Sequence, residues 1–110
     1  FKMNSNLLKQ AKKNKAQSNM NIHFGSIATD QHFPFDHHND ALLEKNHILA
    51  VDMEDNGVAQ ACWLYHTPLI IIRAISDNVA NKIPYTQRNA KLAARNAANL
   101  TILTIKALSK

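Results

Sequence analysis

The 110-residue sequence has few cysteine, glycine, proline and aromatic residues, and it has no long hydrophobic run. Its single cysteine, Cys62, excludes an internal disulfide, and an apolar helical setting favours a reduced core thiol over a reactive one. Only 2 Gly and 3 Pro beside 45% hydrophobic residues exclude a low-complexity chain. Apolar runs such as Leu69 to Ile72 are far too short to cross a membrane, and residues 1–6 carry no secretory signal pattern. We therefore expect a single cytoplasmic domain over residues 1–110, with no membrane partner.

Acidic residues are also few: 8 Asp and Glu stand against 13 Lys and Arg, which gives a net charge of +5. An excess of basic residues raises nucleic acid as a class of partner. The aromatic residues, 6% of the chain, do not interleave with the basic ones as a single-strand-binding surface requires. Lys9, Lys12 and Lys13 share one helical face, which is typical of a solvated surface. We therefore expect no nucleic-acid partner.

Segments with helical periodicity alternate with short apolar runs, and there is no internal repeat. Strands that are apolar on both faces and alternate with helices favour a parallel α/β sheet. The expected elements, in chain order, are a helix capped by Ser5 and running to about Lys15, a strand over Asn21–Thr29, a loop over Asp30–Asp40, a short helix over Asp40–Lys45, a strand over His47–Met53, a helix capped by Asn56, a strand within Pro68–Asp77, and a long helix from about Tyr85 to Ser109.

The same periodicity predicts which helical residues face a core. Gly25, inside the first strand, is expected to mark a close approach of two backbones, and Pro68 stops the helix before it. The expected buried faces are Leu7, Leu8 and Ala11 in the first helix, Val58, Ala61, Cys62 and Tyr65 in the helix after the second strand, and Ala90, Ala94, Ala97, Thr101, Ile105 and Leu108 in the last helix.

Carboxylates follow two of the predicted strands. The sequence "AVDMED" closes the second strand and "RAISD" closes the third. Because ligands of open α/β sheets bind beyond the carboxyl ends of the strands, both segments are candidates for a site. The residues alone also permit structural roles: Asp77 as a loop cap, Glu54 and Asp55 as first-turn acids beside a helix dipole, Met53 as a core residue, and Arg73 as an ion-pair partner.

The histidines do not predict a metal centre. His37 and His38 follow Asp36, but adjacent residues seldom converge on one ion without further ligands at helical or hairpin spacing. The sequence also lacks the nucleophile-elbow pattern that would indicate a Ser-His-Asp triad. We therefore expect no metal.

The stretch "AVDMEDNGVAQACWLYHTPLIIIRAISDNVA", residues 50–80, resembles the C-terminal signature of the methylthioadenosine/S-adenosylhomocysteine nucleosidases, within the purine nucleoside phosphorylase superfamily. The matching motifs are Asp52-Met53-Glu54 and the segment from Arg73 to Asp77, in the family's order and spacing. The resemblance implies a partial three-layer phosphorylase-type fold, with a mostly parallel sheet flanked by helices and a long C-terminal helix. It also implies hydrolysis of the N-glycosidic bond of methylthioadenosine or S-adenosylhomocysteine, without a cofactor. A phosphorylase and a non-catalytic purine-nucleoside-binding remnant stay as alternatives.

Carried over residue by residue, the resemblance gives five residues a role. They are Asp77 as the catalytic acid that protonates adenine, Ser76 as the residue that orients it, Glu54 as the ligand of the ribose hydroxyls, Met53 packing against the sugar, and Phe33 stacking on the purine.

Several features depart from the family pattern. Thr29-Asp30-Gln31 replaces a Ser/Thr-Gly-Asp segment, and Asp55 adds a negative charge beside the expected ribose site. Pro34 has no N–H with which to read the base edge. The family's N-terminal half, with its water-activating glutamate, has no counterpart in these residues, so the chain resembles a C-terminal half. We expect an N-terminal half or a second chain to complete it, and a homodimer as in its relatives.

Overall fold

The structure, a computed structural model, describes residues 1–15, 19–30, 40–78 and 82–109. Its contacts divide the chain into two units, one of Phe1–Lys2 and Ile22–Leu69 and one of Met3–Asn21 and Ile70–Lys110. The described elements, in chain order, are α1 (Ser5–Lys15), β1 (Ser26–Thr29), α2 (Asp40–Lys45), β2 (Ile48–Asp52), α3 (Asp55–Leu64) and α4 (Gln87–Leu108). The predicted α/β class, with parallel strands and a long C-terminal helix, is confirmed.

The first unit is built on a parallel pair of strands. β1 and β2 lie side by side with Ile27 opposite Ala50 and Thr29 opposite Asp52. Both strands were predicted, although β1 begins five residues later than expected, at Ser26. A Cβ placed on Gly25 would overlap the side chain of Leu49. The chain is therefore closely packed at Gly25, but against a side chain rather than against the backbone that was expected there.

Helix α3 contacts β1, and α2 contacts β2. The face of α3 predicted as buried is wrong in part, because Ala59 is the buried residue and Cys62 is half-buried. Val58, Ala61 and Tyr65 are exposed. The predicted Asn56 cap is also wrong. The helix begins at Asp55 with Glu54 at the N-cap position, and a side chain from the end of β2 accepts the first N–H groups of the helix, as described below.

The second unit pairs α1 with α4. Its helices are confirmed, and the Asn4 side chain caps α1 by accepting the Leu7 N–H at 3.0 Å, one residue before the predicted cap. The predicted α1 face is confirmed by the buried Ala11 and the half-buried leucines. On α4 the predicted face is wrong in part. The inward residues at spacings of four and three are Ala93, Ala97, Leu100 and Thr104, whereas Ala94, Thr101, Ile105 and Leu108 are exposed.

The strand predicted within Pro68–Asp77 is not formed. The described residues hold a sheet of two strands, β1 and β2, and residues 67–77 belong to no helix or strand. Ile70 to Ile72 are half-buried and Ile75 is exposed. The prediction fails because a β-strand forms only when its backbone pairs with another strand. The described part of the second unit contains helices and a single isolated bridge, and so offers no strand with which this segment could pair.

No helix in the described ranges is long and apolar enough to cross a membrane. Within the same ranges, no group of three or more His, Cys, Asp or Glu side chains is arranged to hold a metal ion. Asp36, His37 and His38 lie outside the described residues, as does most of the predicted loop between β1 and α2.

Candidate functional site

The carboxyl ends of β1 and β2 meet through paired residues. Thr29 ends β1 and Asp52 ends β2, and the two lie opposite each other in the parallel register. The Thr29 hydroxyl donates to Asp52 Oδ1 at 2.9 Å. One residue further along, the Asp30 N–H donates to the Asp52 carbonyl oxygen at 2.8 Å. The two strands therefore end together at one edge of the sheet, where ligands of such sheets bind.

The same two side chains hold the first turn of α3. Asp52 Oδ1 accepts the backbone N–H of Glu54 at 3.2 Å and that of Asp55 at 3.1 Å. Thr29 Oγ1 accepts the Asn56 N–H at 3.0 Å. Three of the N–H groups that a helix start leaves without an intrahelical partner are thus satisfied by side chains of the strand ends. We call this arrangement the strand-end network: Thr29, Asp52 and the N–H groups of residues 54–56.

The strand-end network displays Met53 and Glu54 in the short turn between β2 and α3. Both side chains are exposed, whereas Asp52, immediately before them, is only 9% exposed. A buried Asp52 carboxylate that holds the backbone is thus followed, two residues later, by the exposed side chain of Glu54. Asp55 is half-buried in the first turn of α3, directly beside Glu54.

Ser76 and Asp77 form a hydrogen-bonded pair in the second unit. The Ser76 hydroxyl donates to Asp77 Oδ1 at 2.7 Å, and both residues are half-buried. The chain is fixed directly afterwards, because the Asn78 N–H donates to the Ile83 carbonyl at 2.9 Å and the Ile83 N–H donates to the Asn78 carbonyl at 2.8 Å. One Asp77 oxygen is therefore held by a short neutral donor, which sets the orientation of the carboxyl group.

The structure thus places four of the five predicted site residues. Met53 and Glu54 lie together in the first unit, and Ser76 and Asp77 lie together in the second. Phe33 lies outside the described residues, as does Pro34.

Thr29 and Asp52 were not singled out for their contacts with each other. Asp52 did carry a signal, since an Asp or Asn side chain often accepts the N–H groups two and three residues ahead of it. Thr29 carried none, because its contact with Asp52 depends on the register of two strands that are 23 residues apart.

The family model of the phosphorylase superfamily matches residues 1–108. The chain belongs to this superfamily.

Curated relatives of this phosphorylase-superfamily chain carry a more specific name. Over 80 residues it is 38% identical to proteins named 5'-methylthioadenosine/S-adenosylhomocysteine nucleosidase from Bacillus thuringiensis (strain Al Hakam), Bacillus cereus (strain AH187) and Bacillus anthracis (strain A0248). The match covers 70% of this chain and 35% of each relative. The chain therefore spans about a third of the length of these relatives. No solved structure matches it.

Proposed function

We propose that this chain is the C-terminal half of a nucleosidase that hydrolyses the N-glycosidic bond of methylthioadenosine or S-adenosylhomocysteine and releases adenine. The observation that carries the proposal is the short hydrogen bond from Ser76 to Asp77, in a chain 38% identical to nucleosidases of that name. This hydrogen bond fixes the orientation of the Asp77 carboxyl group, which a directed proton transfer requires.

In the proposed reaction the bond between the sugar and adenine breaks and its electron pair goes to adenine. Asp77 gives a proton to a ring nitrogen of adenine, so that a neutral base leaves, and general acid catalysis of this kind contributes about a hundredfold or more. Ser76 keeps the Asp77 carboxyl group oriented during the transfer. The sugar carbon develops positive charge and then bonds to the oxygen of a water molecule, which loses a proton to a base supplied by the N-terminal half.

Glu54 is the proposed ligand of the ribose. Its carboxylate is exposed at the carboxyl end of β2 and can accept hydrogen bonds from both vicinal hydroxyls of the sugar. A carboxylate in that position also stabilises the positive charge that develops on the ring. The neighbouring Met53 side chain is exposed as well, and we assign it to the apolar face of the sugar.

Base recognition is assigned to the segment after β1. Phe33 stacks on the purine in this proposal, and Pro34 offers a carbonyl but no N–H. Asp30 and Asp55 are the other positions at which the chain departs from the family pattern. Asp55 adds a carboxylate beside Glu54, which favours substrates with no negative charge near the ribose.

The rest of the proposal concerns assembly. Because the chain spans 35% of the relatives' length, we propose that an N-terminal half or a second chain supplies the water-activating group. We further propose a cytoplasmic homodimer that acts in methionine salvage, uses no cofactor or metal, and has no nucleic-acid or membrane partner.

Release of adenine from methylthioadenosine and from S-adenosylhomocysteine, followed by a coupled assay, tests the proposed reaction. The protein assayed contains this chain and its N-terminal half, and the buffer is free of phosphate. We expect release of adenine without phosphate. No release above background would contradict the proposal.

A phosphorylase is the second candidate, because the matching family model is that of the phosphorylase superfamily as a whole. In a phosphorylase the sugar carbon bonds to phosphate rather than to water. Adenine release that requires phosphate, with a sugar phosphate as the second product, would identify this reaction. A folded, monomeric 12.3 kDa chain that binds nucleosides and releases no adenine would instead identify a non-catalytic binding module.

A further inference from the structure

We propose that Thr29 is a positioning residue of the ribose site, acting through Asp52 on the backbone of Glu54. The inference rests on the proposed role of Glu54 in holding the ribose. It concerns a residue at the end of a different strand, which would not itself touch the substrate.

The Thr29 hydroxyl is fixed from two directions. It donates to Asp52 Oδ1 at 2.9 Å and accepts the Asn56 N–H at 3.0 Å. A hydroxyl group has one proton to donate and lone pairs to accept, so both interactions are made at once. The Thr29 oxygen therefore connects the end of β2 to the first turn of α3.

The Asp52 carboxylate transmits this constraint to Glu54. Its Oδ1 accepts three hydrogen bonds, from the Thr29 hydroxyl at 2.9 Å, the Glu54 N–H at 3.2 Å and the Asp55 N–H at 3.1 Å. Asp52 is only 9% exposed, and the three hydrogen bonds to Oδ1 hold its carboxylate in this orientation. Glu54 is the residue whose side chain is assigned to the ribose. Because its backbone N–H is bound to Asp52, the position of Asp52 determines the position of the Glu54 Cα, from which the side chain extends.

The backbone is what positions the exposed Glu54 side chain. A long, exposed carboxylate reaches a substrate in the correct geometry only if its Cα is held firmly, and a misplacement of about 1 Å can cost about a hundredfold in rate. Removing the Thr29 hydroxyl deprives Asp52 Oδ1 of one donor and the Asn56 N–H of its acceptor. We expect the turn between β2 and α3 to loosen while β1 and β2 stay paired.

The test compares Thr29→Val with Thr29→Ser. Valine keeps the branched shape and the strand preference of threonine but lacks the hydroxyl, whereas serine keeps the hydroxyl. Thr101→Val is the matched control, because the Thr101 hydroxyl is exposed on α4 and donates only locally, to the Ala97 carbonyl at 2.8 Å. All variants are made in the protein that contains this chain and its N-terminal half.

The decisive readout is kcat/KM for methylthioadenosine and for its 2'-deoxy analogue, which lacks a hydroxyl that Glu54 would hold. We expect Thr29→Val to lower kcat/KM for methylthioadenosine by about tenfold or more. The loss should be much smaller for the deoxy analogue, and Thr29→Ser and Thr101→Val should behave like the wild type. An equal loss on both substrates would show a purely structural role and overturn the inference, as would unchanged kinetics.

Backbone amide exchange separates this inference from the proposed function. Exchange in a peptide covering residues 52–57 should be faster in Thr29→Val than in the wild type, and unchanged in Thr29→Ser. If the wild type releases no adenine, the proposed function fails and amide exchange alone decides the role of Thr29. Unchanged exchange at residues 54–56 would overturn the inference even in an active enzyme.

Discussion

Asp77 is the residue on which the proposed chemistry depends most. Asp77→Asn removes the acidic proton but keeps an oxygen that can accept the Ser76 hydroxyl, which lies 2.7 Å from Asp77 Oδ1 in the wild type. We expect adenine release to fall by at least about a hundredfold, because an amide cannot protonate the leaving base. Steady-state kinetics measures the loss, and circular dichroism should show an unchanged fold.

Asp40→Asn is the control for this substitution. It makes the same chemical change at an exposed residue in the first turn of α2. We expect its activity to match that of the wild type. Adenine release by Asp77→Asn at a rate close to that of Asp40→Asn would remove Asp77 from the mechanism.

At the scale of single residues, the sequence motifs indicated which residues are candidates for the site. The structure showed which hydrogen bonds hold them in place. The resemblance of "VDME" and "RAISD" to the motifs of a known family made Glu54 and Asp77 candidates. It was not enough to select Thr29, since the partner of Thr29 is decided by strand register rather than by any local pattern. A contact between side chains 23 residues apart is a property of the folded sheet.

At the scale of elements, local sequence signals were enough to predict the helices. They were not enough to predict every strand, because a strand also needs a partner elsewhere in the chain. α1 and α4 were predicted from the helical spacing of their apolar residues, a signal that acts within a few residues. The segment 68–77 has the composition of a buried strand, yet composition supplies no partner for its backbone. The face of α4 was predicted incorrectly in part, because alanine is frequent all round the helix and the spacing of apolar residues did not distinguish one face clearly.

The start of α4 offers a test of one such local signal. Thr86 has an extended backbone, and its Oγ1 accepts the Asn89 N–H at 3.0 Å. Thr86→Ala removes this cap and should lower the free energy of unfolding by about 1 kcal/mol, whereas Thr86→Ser should be nearly neutral. Urea-induced unfolding measures the difference. Equal stability of the alanine and serine variants would show that the hydroxyl does not cap the helix.

At the scale of the whole molecule, α3 bears on the proposed assembly. Trp63 is 66% exposed and Leu64 is also exposed, although both are large and apolar. The Phe1 ring lies 6.3 Å from the Trp63 ring, centroid to centroid, and leaves most of the indole uncovered. Exposed apolar residues in a cluster are typical of interaction surfaces. We predict that Trp63 or Leu64 is buried only when the N-terminal half or a second copy is present.

Trp63→Glu tests this prediction. A charge in the contact should weaken association at least tenfold, while circular dichroism stays unchanged because the residue is exposed within the chain itself. Trp63→Phe keeps an apolar ring and serves as the control. Analytical ultracentrifugation measures association, and a glutamate variant that associates as tightly as the phenylalanine variant would contradict the prediction.

The division of the chain into two units also separates its charges. The unit that holds α1 and α4 contains eleven of the 13 Lys and Arg residues and only one of the 8 acidic residues, Asp77. The net charge of +5 is therefore the difference between a strongly cationic unit and an acidic one. A charged surface binds to a resin through its own local potential, which salt screens over about 10 Å at 0.1 M. The protein should therefore stay on a cation exchanger even at its sequence pI of about 9.6, and elute as the salt concentration rises.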